Sequence, residues 1–590
     1  MLSGLFISSS LIGNSPTEFK SPFDLIINDF SMSLGLFLFY PLFIYVLFSE
    51  KIKNYLTLLL IFVASFVLIN TFIMKGNYIN INADFVFDNT DLLKASLKEI
   101  LLTIILTVIL ISIIILILKN NKAIFLINIY SIVLLVLISI SIFDISKIIR
   151  EHNKLSESQI DSDKPSDIKI FNMSKTGENI FVFVLDRAIS SYWLDAFERF
   201  PNYKKDFDGF VFYPNNVSFS DYTVTTASLY GGYDYLPYEI STNGGYNITN
   251  FHNEALLTIP MALKKYNYKS VILNPVYANF SWGPDLRIFK NYTNISAYNN
   301  NKIEEYSINK YSKLQINKSF LNRKLIRFSI FRMLPINLRY DFYDDKGWFI
   351  NVFGINSSIY YYAMFSDTKY FINITNEGNY YNNLHNMITH ETYYFASDFL
   401  PYMELKGVDK KDLDIYKDDF SVRHFYANVA SMNILTNLIN FLKENDIYDN
   451  TKIIIVSDHG FGANTTVFNE DMKFANWYNA LLMYKDFNSK GEIKIDTNFM
   501  TIADTPYLAT KHLDKVKNPF TGNIITNDYK TNGANIIYLN SWKIDEQFSN
   551  RYNFNEYYYV KDNIFDINNW KKFQINWKTK ESKEIKDLNF

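Results

Sequence analysis

The sequence contains no cysteine. That excludes disulfides, thiolate zinc sites, cysteine nucleophiles and iron–sulfur clusters together. It leaves the compartment open, because exported bacterial domains also fold without disulfides. A charge excess is missing too: 58 Lys and Arg face 60 Asp and Glu, for a net charge of −2. No global field therefore draws nucleic acid or demands an acidic partner. Disorder is excluded by a hydrophobic content of 48% and an aromatic content of 17%. The 590 residues are enough for two or more domains with sizeable cores. Asn, Ile, Lys and Tyr are abundant as a compositional bias, so single Tyr or Asn residues carry little weight. No tandem repeat is visible.

Long apolar runs, by contrast, crowd the first quarter of the chain. They span roughly Leu34–Phe48, Tyr55–Met74, Leu101–Leu118 and Ala123–Phe143. A helix needs about 20 apolar residues to cross the hydrocarbon core. The last three reach or approach that length without an internal charge, and the first needs its flanks. A cleaved signal peptide would be one stretch, not four in series. Lys51 and Lys53 follow the first run, and Lys119 and Lys122 follow the third. Both loops are short and basic, as cytoplasmic turns usually are. The loop holding Asp84, Asp88 and Asp91 would then lie outside, with the N-terminus and the large C-terminal domain. Lys147 and Arg150 after the fourth run weigh against this orientation. If the mildly apolar first dozen residues are the remnant of a further span, the parity changes.

The domain division expected is a transmembrane region over 1–150 with about four helices, a polar linker over 151–175, a catalytic domain over 176–530 and an extension over 531–590. In the domain, short apolar runs alternate with helical periodicity. Asn179–Leu185, Ser270–Leu273 and Lys452–Ser457 read as strands, and Glu254–Lys265 and Phe425–Lys443 as helices. Such alternation predicts an α/β fold with a largely parallel sheet covered by helices. Ligands gather at the carboxyl ends of such strands, and two runs end in acids there.

The first of these is Asp186, after FVFVL, and the second is Asp458-His459-Gly460, after IIIVS. Carboxylate with imidazole suits Zn²⁺ or Mn²⁺. A buried strand-end carboxylate needs compensation, by a cation or by a neighbour such as Arg187. Val217–Tyr235 contains Thr223, Thr225 and Thr226 ahead of Gly231-Gly232. A threonine opening a short helix is either an ordinary N-cap or a nucleophile whose pKa a metal lowers. His390 could contact a transferred phosphoryl group or protonate a leaving group, with His385 as its local rival. His424 reads as structural.

These residues resemble the alkaline phosphatase/sulfatase superfamily: a strand ending in Asp, a hydroxyl heading a helix, and a late strand ending Ser-Asp-His-Gly. The segment DIYDNTKIIIVSDHG is similar to that superfamily's last metal-binding strand. FMTIADTPYL followed by NPFTG resembles the tail of bacterial membrane sulfatase-like proteins. Several transmembrane helices before this domain resemble the lipoteichoic acid synthases and phosphoethanolamine transferases. The resemblance covers about residues 178 to 530 and is weak for the substrate.

The resemblance implies Asp186, Asp458 and His459 as ligands of one divalent metal ion, Mn or Zn. It implies Thr223 or Thr225 as nucleophile. Thr223 is favoured by its distance from Val217-Ser218-Phe219, and Thr225 by its spacing to Ser228. It gives His390 the role of binding the transferred headgroup. A formylglycine sulfatase is disfavoured, because the chain has neither Cys nor a Ser-x-Pro-x-Arg motif near Thr223. The activity implied is transfer of phosphoglycerol or phosphoethanolamine from a membrane phospholipid donor to an envelope glycan or lipid acceptor. It would pass through a phospho-threonine, on the extracytoplasmic side of the cytoplasmic membrane and without nucleic acid. The alternatives are a hydrolase of phosphate or sulfate esters and a non-catalytic lipid- or envelope-binding protein.

Overall fold

The computed structural model describes residues 1–14, 16, 22–76, 78, 93–120, 123–158, 169–281, 283, 285–299, 319–343, 357–402 and 405–588. Asp84, Asp88, Asp91 and Lys122, used above to orient the loops, lie outside them. The chain forms two compact units. One joins Met1–Glu157 with Leu314–Ile355, and the other joins Ser158–Lys313 with Asn356–Phe590. The unbroken 176–530 stretch expected from sequence is therefore divided between them.

Among the described residues of the first unit, four helices are long and apolar enough to cross a membrane: Pro22–Val46, Glu50–Phe72, Leu97–Lys119 and Ile124–Glu151. Their Leu, Ile, Val and Phe side chains lie largely on the outside, as lipid-facing helices require. The first begins well before the apolar run that marks it. Asp24 and Asp29 lie in the stretch before that run, yet the backbone there is already helical, and the buried Asp29 carboxylate accepts a hydrogen bond from Ser8. The helix Leu97–Lys119 opens with a capping box, Ser96 with Glu99. The last helix runs on to Ser158, into the stretch expected to be linker.

In the second unit the strands are β1 (Phe171–Ser174), β2 (Asn179–Leu185), β3 (Phe210–Phe212), β4 (Asn216–Val217), β5 (Tyr268–Leu273), β6 (Ile295–Tyr298), β7 (Ile372–Thr375) and β8 (Asn379–Asn386). They continue as β9 (Thr451–Val456), β10 (Leu482–Lys485), β11 (Lys494–Ile495), β12 (Met500–Thr501), β13 (Ala534–Leu539), β14 (Phe554–Val560), β15 (Trp570–Asn576) and β16 (Glu581–Ile585). The main sheet has the order β11-β3-β10-β9-β2-β8-β5-β6. The run β9-β2-β8-β5-β6 is parallel, and β10 is antiparallel to both its neighbours.

β2 sits at the centre and is buried throughout, which explains its unbroken apolar sequence. Successive side chains of a strand point to opposite faces. Phe181, Phe183 and Leu185 join one core, with the helices Ser190–Arg199 and Asp419–Glu444. Ile180, Val182 and Val184 join the other, with the helix Ile248–Lys264. The C-terminal stretch forms a separate antiparallel sheet, β13-β14-β15-β16. Tyr558 and Trp570 from it enter the second core.

Candidate active site

The carboxyl ends of β2, β8 and β9 meet at one point. The registers pair Val184 with His385 across β2 and β8, and Val184 with Val456 across β2 and β9. Asp186 and Asp458 follow directly. Asp186, His385 and Asp458 are buried, and one ligating atom from each lies within 4.8 Å of the others. His459 joins them: its Nε2 is 3.6 Å from Asp458 Oδ2 and 4.0 Å from Asp186 Oδ1. His385 Nε2 is 3.5 Å from Asp186 Oδ2.

The hydrogen bonds aim these groups inward. Asp458 Oδ1 accepts from the backbone N–H of His459 at 2.9 Å and of Arg187 at 3.2 Å. Arg187 reaches it because its φ is +63°, in the left-handed region. Gly460 is required by a close approach, since a Cβ there would stand 2.0 Å from the Asn476 carbonyl oxygen. His459 Nδ1 lies 2.7 Å from the Gly460 carbonyl oxygen. A carbonyl only accepts, so Nδ1 carries the proton and Nε2 presents a lone pair.

Asp186 Oδ1, Asp458 Oδ2, His459 Nε2 and both His385 ring nitrogens are buried without any hydrogen-bond partner. Buried polar atoms left unpaired are costly, and here they converge. Burial holds the His459 imidazole below its ordinary pKa. Burial alone would raise Asp186, but His390, His385 and His459 overcome it and hold the carboxyl below its usual range. A carboxylate held ionised at Asp186, a neutral imidazole at His459 and convergent unpartnered ligand atoms are what a divalent cation needs, so the residues fit a metal ion.

Thr223 opens a 3₁₀ turn, Thr223–Thr225, that leads into the helix Thr226–Gly231. It is half-buried, and its hydroxyl makes no hydrogen bond among the described residues. The adjacent Tyr222 ring meets the His459 ring edge-on, with centroids 6.4 Å apart. Thr225 is fully buried. Its Oγ1 accepts from the Phe219 N–H at 3.1 Å and lies 3.3 Å from Ser228 Oγ. Thr226 is buried in the same helix.

His390 stands on the loop after β8, with Nδ1 2.8 Å from the Glu391 carbonyl oxygen and 3.4 Å from Glu391 Oε2. Glu391 is paired in turn with Arg187, whose guanidinium lies over the Phe461 ring at 4.8 Å. His424 is buried in the helix Asp419–Glu444, stacked on Tyr393, with Nε2 3.0 Å from the Arg187 carbonyl oxygen. Burial pushes it down to about 3, so it stays neutral.

The structure thus brings Asp186, Asp458 and His459 together and adds His385, which the sequence reading held only as a rival to His390. β8 reads NYYNNLHN, too polar to mark as a central strand. The available signal was a histidine at the end of a segment long enough to cross the sheet.

Residues 421–568 match the family model described as type I phosphodiesterase / nucleotide pyrophosphatase. This segment includes β9, Asp458 and His459. No curated protein matches the chain. Among solved structures it is similar to a protein in the alkaline phosphatase superfamily from Vibrio parahaemolyticus, at 10% identity and TM-score 0.36, covering 74% of this chain and 91% of that one. It is similar to the lipoteichoic acid synthase LtaP from Listeria monocytogenes, at 12% identity and TM-score 0.34, covering 74% and 92%. The C-terminal periplasmic domain of EcEptC from Escherichia coli follows at 11% identity and TM-score 0.29, covering 63% and 93%. These are distant likenesses, and the chemistry rests on the residues of the site.

Proposed function

We propose that this membrane-anchored chain transfers a phospho-headgroup, phosphoglycerol or phosphoethanolamine, from a phospholipid to a hydroxyl of an envelope glycan or lipid. The observation that carries it is the convergence of unpartnered ligand atoms from Asp186, His385, Asp458 and His459, with the turn that opens at Thr223 following Tyr222, whose ring meets that of His459. Those four side chains would hold one divalent cation, Mn or Zn. Bound there, it would supply Lewis-acid charge that lowers the threonine pKa and neutralises developing phosphoryl charge.

Thr223 is the nucleophile in this scheme and Thr225 a structural residue. Thr223 Oγ loses its proton to water and bonds to phosphorus as the bond from phosphorus to the diacylglycerol oxygen breaks. His390, with Nδ1 held by Glu391, has Nε2 left to protonate the departing diacylglycerol, which stays in the bilayer. The acceptor hydroxyl then gives His390 its proton and attacks the same phosphorus. Thr223 leaves and recovers a proton. The catalytic domain would lie on the extracytoplasmic side of the cytoplasmic membrane, where envelope acceptors are.

The family model favours a second reading, hydrolysis of a phosphodiester, in which water replaces the acceptor. Both are tested by full-length protein in detergent with Mn²⁺ or Zn²⁺ and fluorescent phosphatidylglycerol or phosphatidylethanolamine. Labelled diacylglycerol should appear and should fall by about 10³-fold or more in Thr223→Ala. Thr225→Ala should keep activity within about tenfold while losing about 1–3 kcal/mol of stability. The headgroup's fate separates transfer from hydrolysis. Metal-loaded protein that releases no diacylglycerol from either lipid would exclude these donors.

A further inference from the structure

Residues 314–355 interrupt the catalytic unit in sequence and belong instead to the membrane unit. Their helices, Ser319–Met333 and Ile336–Tyr343, are too short to cross a bilayer. Leu325, Phe328, Phe331 and Tyr343 share a core with Ile7, Leu25 and Ile148 of the membrane unit. The segment is therefore a built part of that unit, and it brings two arginines to the C-terminal end of the span Glu50–Phe72.

Arg339 is fully buried, and its charge is answered. Its guanidinium donates to the carbonyls of Asn70 at 2.9 Å, Lys75 at 2.9 Å, Leu334 at 3.0 Å and Arg332 at 3.2 Å, and to Tyr78 Oη at 2.7 Å. Most of these carbonyls end the helices Glu50–Phe72 and Ser319–Met333, where the helix dipole favours a cation. Arg339 is thus a staple between two helix ends.

Arg332 is different. It is half-buried, its Nε is buried without a hydrogen-bond partner, and no carboxylate pairs with it among the described residues. Burial and the Arg339 charge both push its guanidinium below the ordinary value, and only Tyr78 opposes them. Among the described residues, Glu99 is engaged with Ser96 and Asp341 is exposed. Asn70, fully buried at the same span end, leaves both side-chain amide atoms unpaired. A desolvated cation beside a second cation requires an anion. The place where an anion meets the end of a membrane span is the headgroup layer.

We infer that Arg332, set by the Arg339 staple at the end of the span Glu50–Phe72, binds the phosphate of an anionic phospholipid. The guanidinium fork matches phosphate oxygens, and Asn70 can serve a neighbouring headgroup oxygen. The site stands on the membrane unit alone and does not depend on the proposed transfer reaction.

The test uses full-length protein in nanodiscs of equal phosphatidylglycerol and phosphatidylcholine, with retained lipids counted by native mass spectrometry. Wild type should keep phosphatidylglycerol over phosphatidylcholine by about tenfold. Arg332→Gln should bring that ratio to about one, and the exposed Lys490→Gln should leave it unchanged. A wild-type ratio near one, or an Arg332→Gln ratio equal to wild type, overturns the site. Loss of selectivity in Asp458→Asn, with Arg332→Gln unaffected, would place the lipid at the catalytic centre and also overturn it. Displacement of phosphatidylglycerol by excess inorganic phosphate would show that the site takes free phosphate, against the lipid assignment. Should Arg332→Gln fail to fold, wild type decides. Short-chain phosphatidylglycerol should raise its melting temperature more than short-chain phosphatidylcholine, and equal shifts refute the proposal.

Discussion

At the scale of single residues, the site is defined by atoms that lack partners. Asp458 shows how: one carboxylate oxygen takes two backbone N–H groups, and the other takes none. His385 is the residue whose role depends most on this argument, since both its ring nitrogens are buried without a hydrogen-bond partner among the described residues. Replacing it with Ala should lower metal affinity by more than the roughly 10–100-fold typical of an outer-shell change. Metal per chain, measured on protein equilibrated with Mn²⁺ or Zn²⁺ and shown to be folded, checks this. Metal content equal to wild type would remove His385 from the ligand set. Asp186, Asp458 and His459 could be picked out from sequence because each follows a run of β-branched or aromatic residues. His385 follows Asn-Asn-Leu, and its strand is concealed by composition.

At the scale of elements, that strand is instructive. Asn382 on β8 is buried, and its Nδ2 donates to the Asn172 carbonyl at 2.9 Å, so this polar side chain sits in the sheet with a backbone partner. Alternation and hydrophobicity could not reveal such a strand, because its side chains are polar and yet inside. The helix Asp419–Glu444 was easier to recognise. Its apolar positions recur at helical spacing, and Asp418 caps it by accepting from the Ser421 N–H at 2.7 Å and the Ser421 hydroxyl at 2.7 Å. Asp418 also accepts from Asn464 at 2.5 Å, on the loop that follows the Asp458 strand. Asp418→Ala should therefore cost about 0.5–2 kcal/mol, read by chemical denaturation. The helix packs against the core beneath the site, so the loss should appear in stability before it appears in metal binding.

At the scale of the whole molecule, charge inside the second unit makes stability depend on pH. Lys485 on β10 is fully buried and donates to the carbonyls of Tyr448 at 2.9 Å, Thr451 at 2.9 Å and Asp486 at 3.1 Å. Burial lowers its pKa from 10.5 to about 8. Above that value the folded chain releases a proton that the unfolded chain still holds, so this group's contribution to stability rises with pH from about 8 to 10.5. Lys485→Met should flatten that rise. Thermal unfolding of both proteins across this window checks the sign, and a parallel pH dependence would refute it.

Sequence alone determined the properties that are local and repetitive. Apolar runs of membrane-crossing length, alternating strand and helix periodicity, and acids placed just after buried strands specify four spans, a largely parallel α/β sheet and three of the clustered side chains. Tertiary structure decided what depends on neighbours distant in the chain. It placed a polar strand beside β2 and so brought His385 to Asp186. It engaged Thr225 with Phe219 and Ser228 while leaving the Thr223 hydroxyl unbonded. It assigned residues 314–355 to the membrane unit and left Arg332 without a counter-charge among the described residues. The physical reason is the same in each case: a side chain's partner, and therefore its chemistry, is set by what packs against it, and sequence spacing records only its neighbours along the chain.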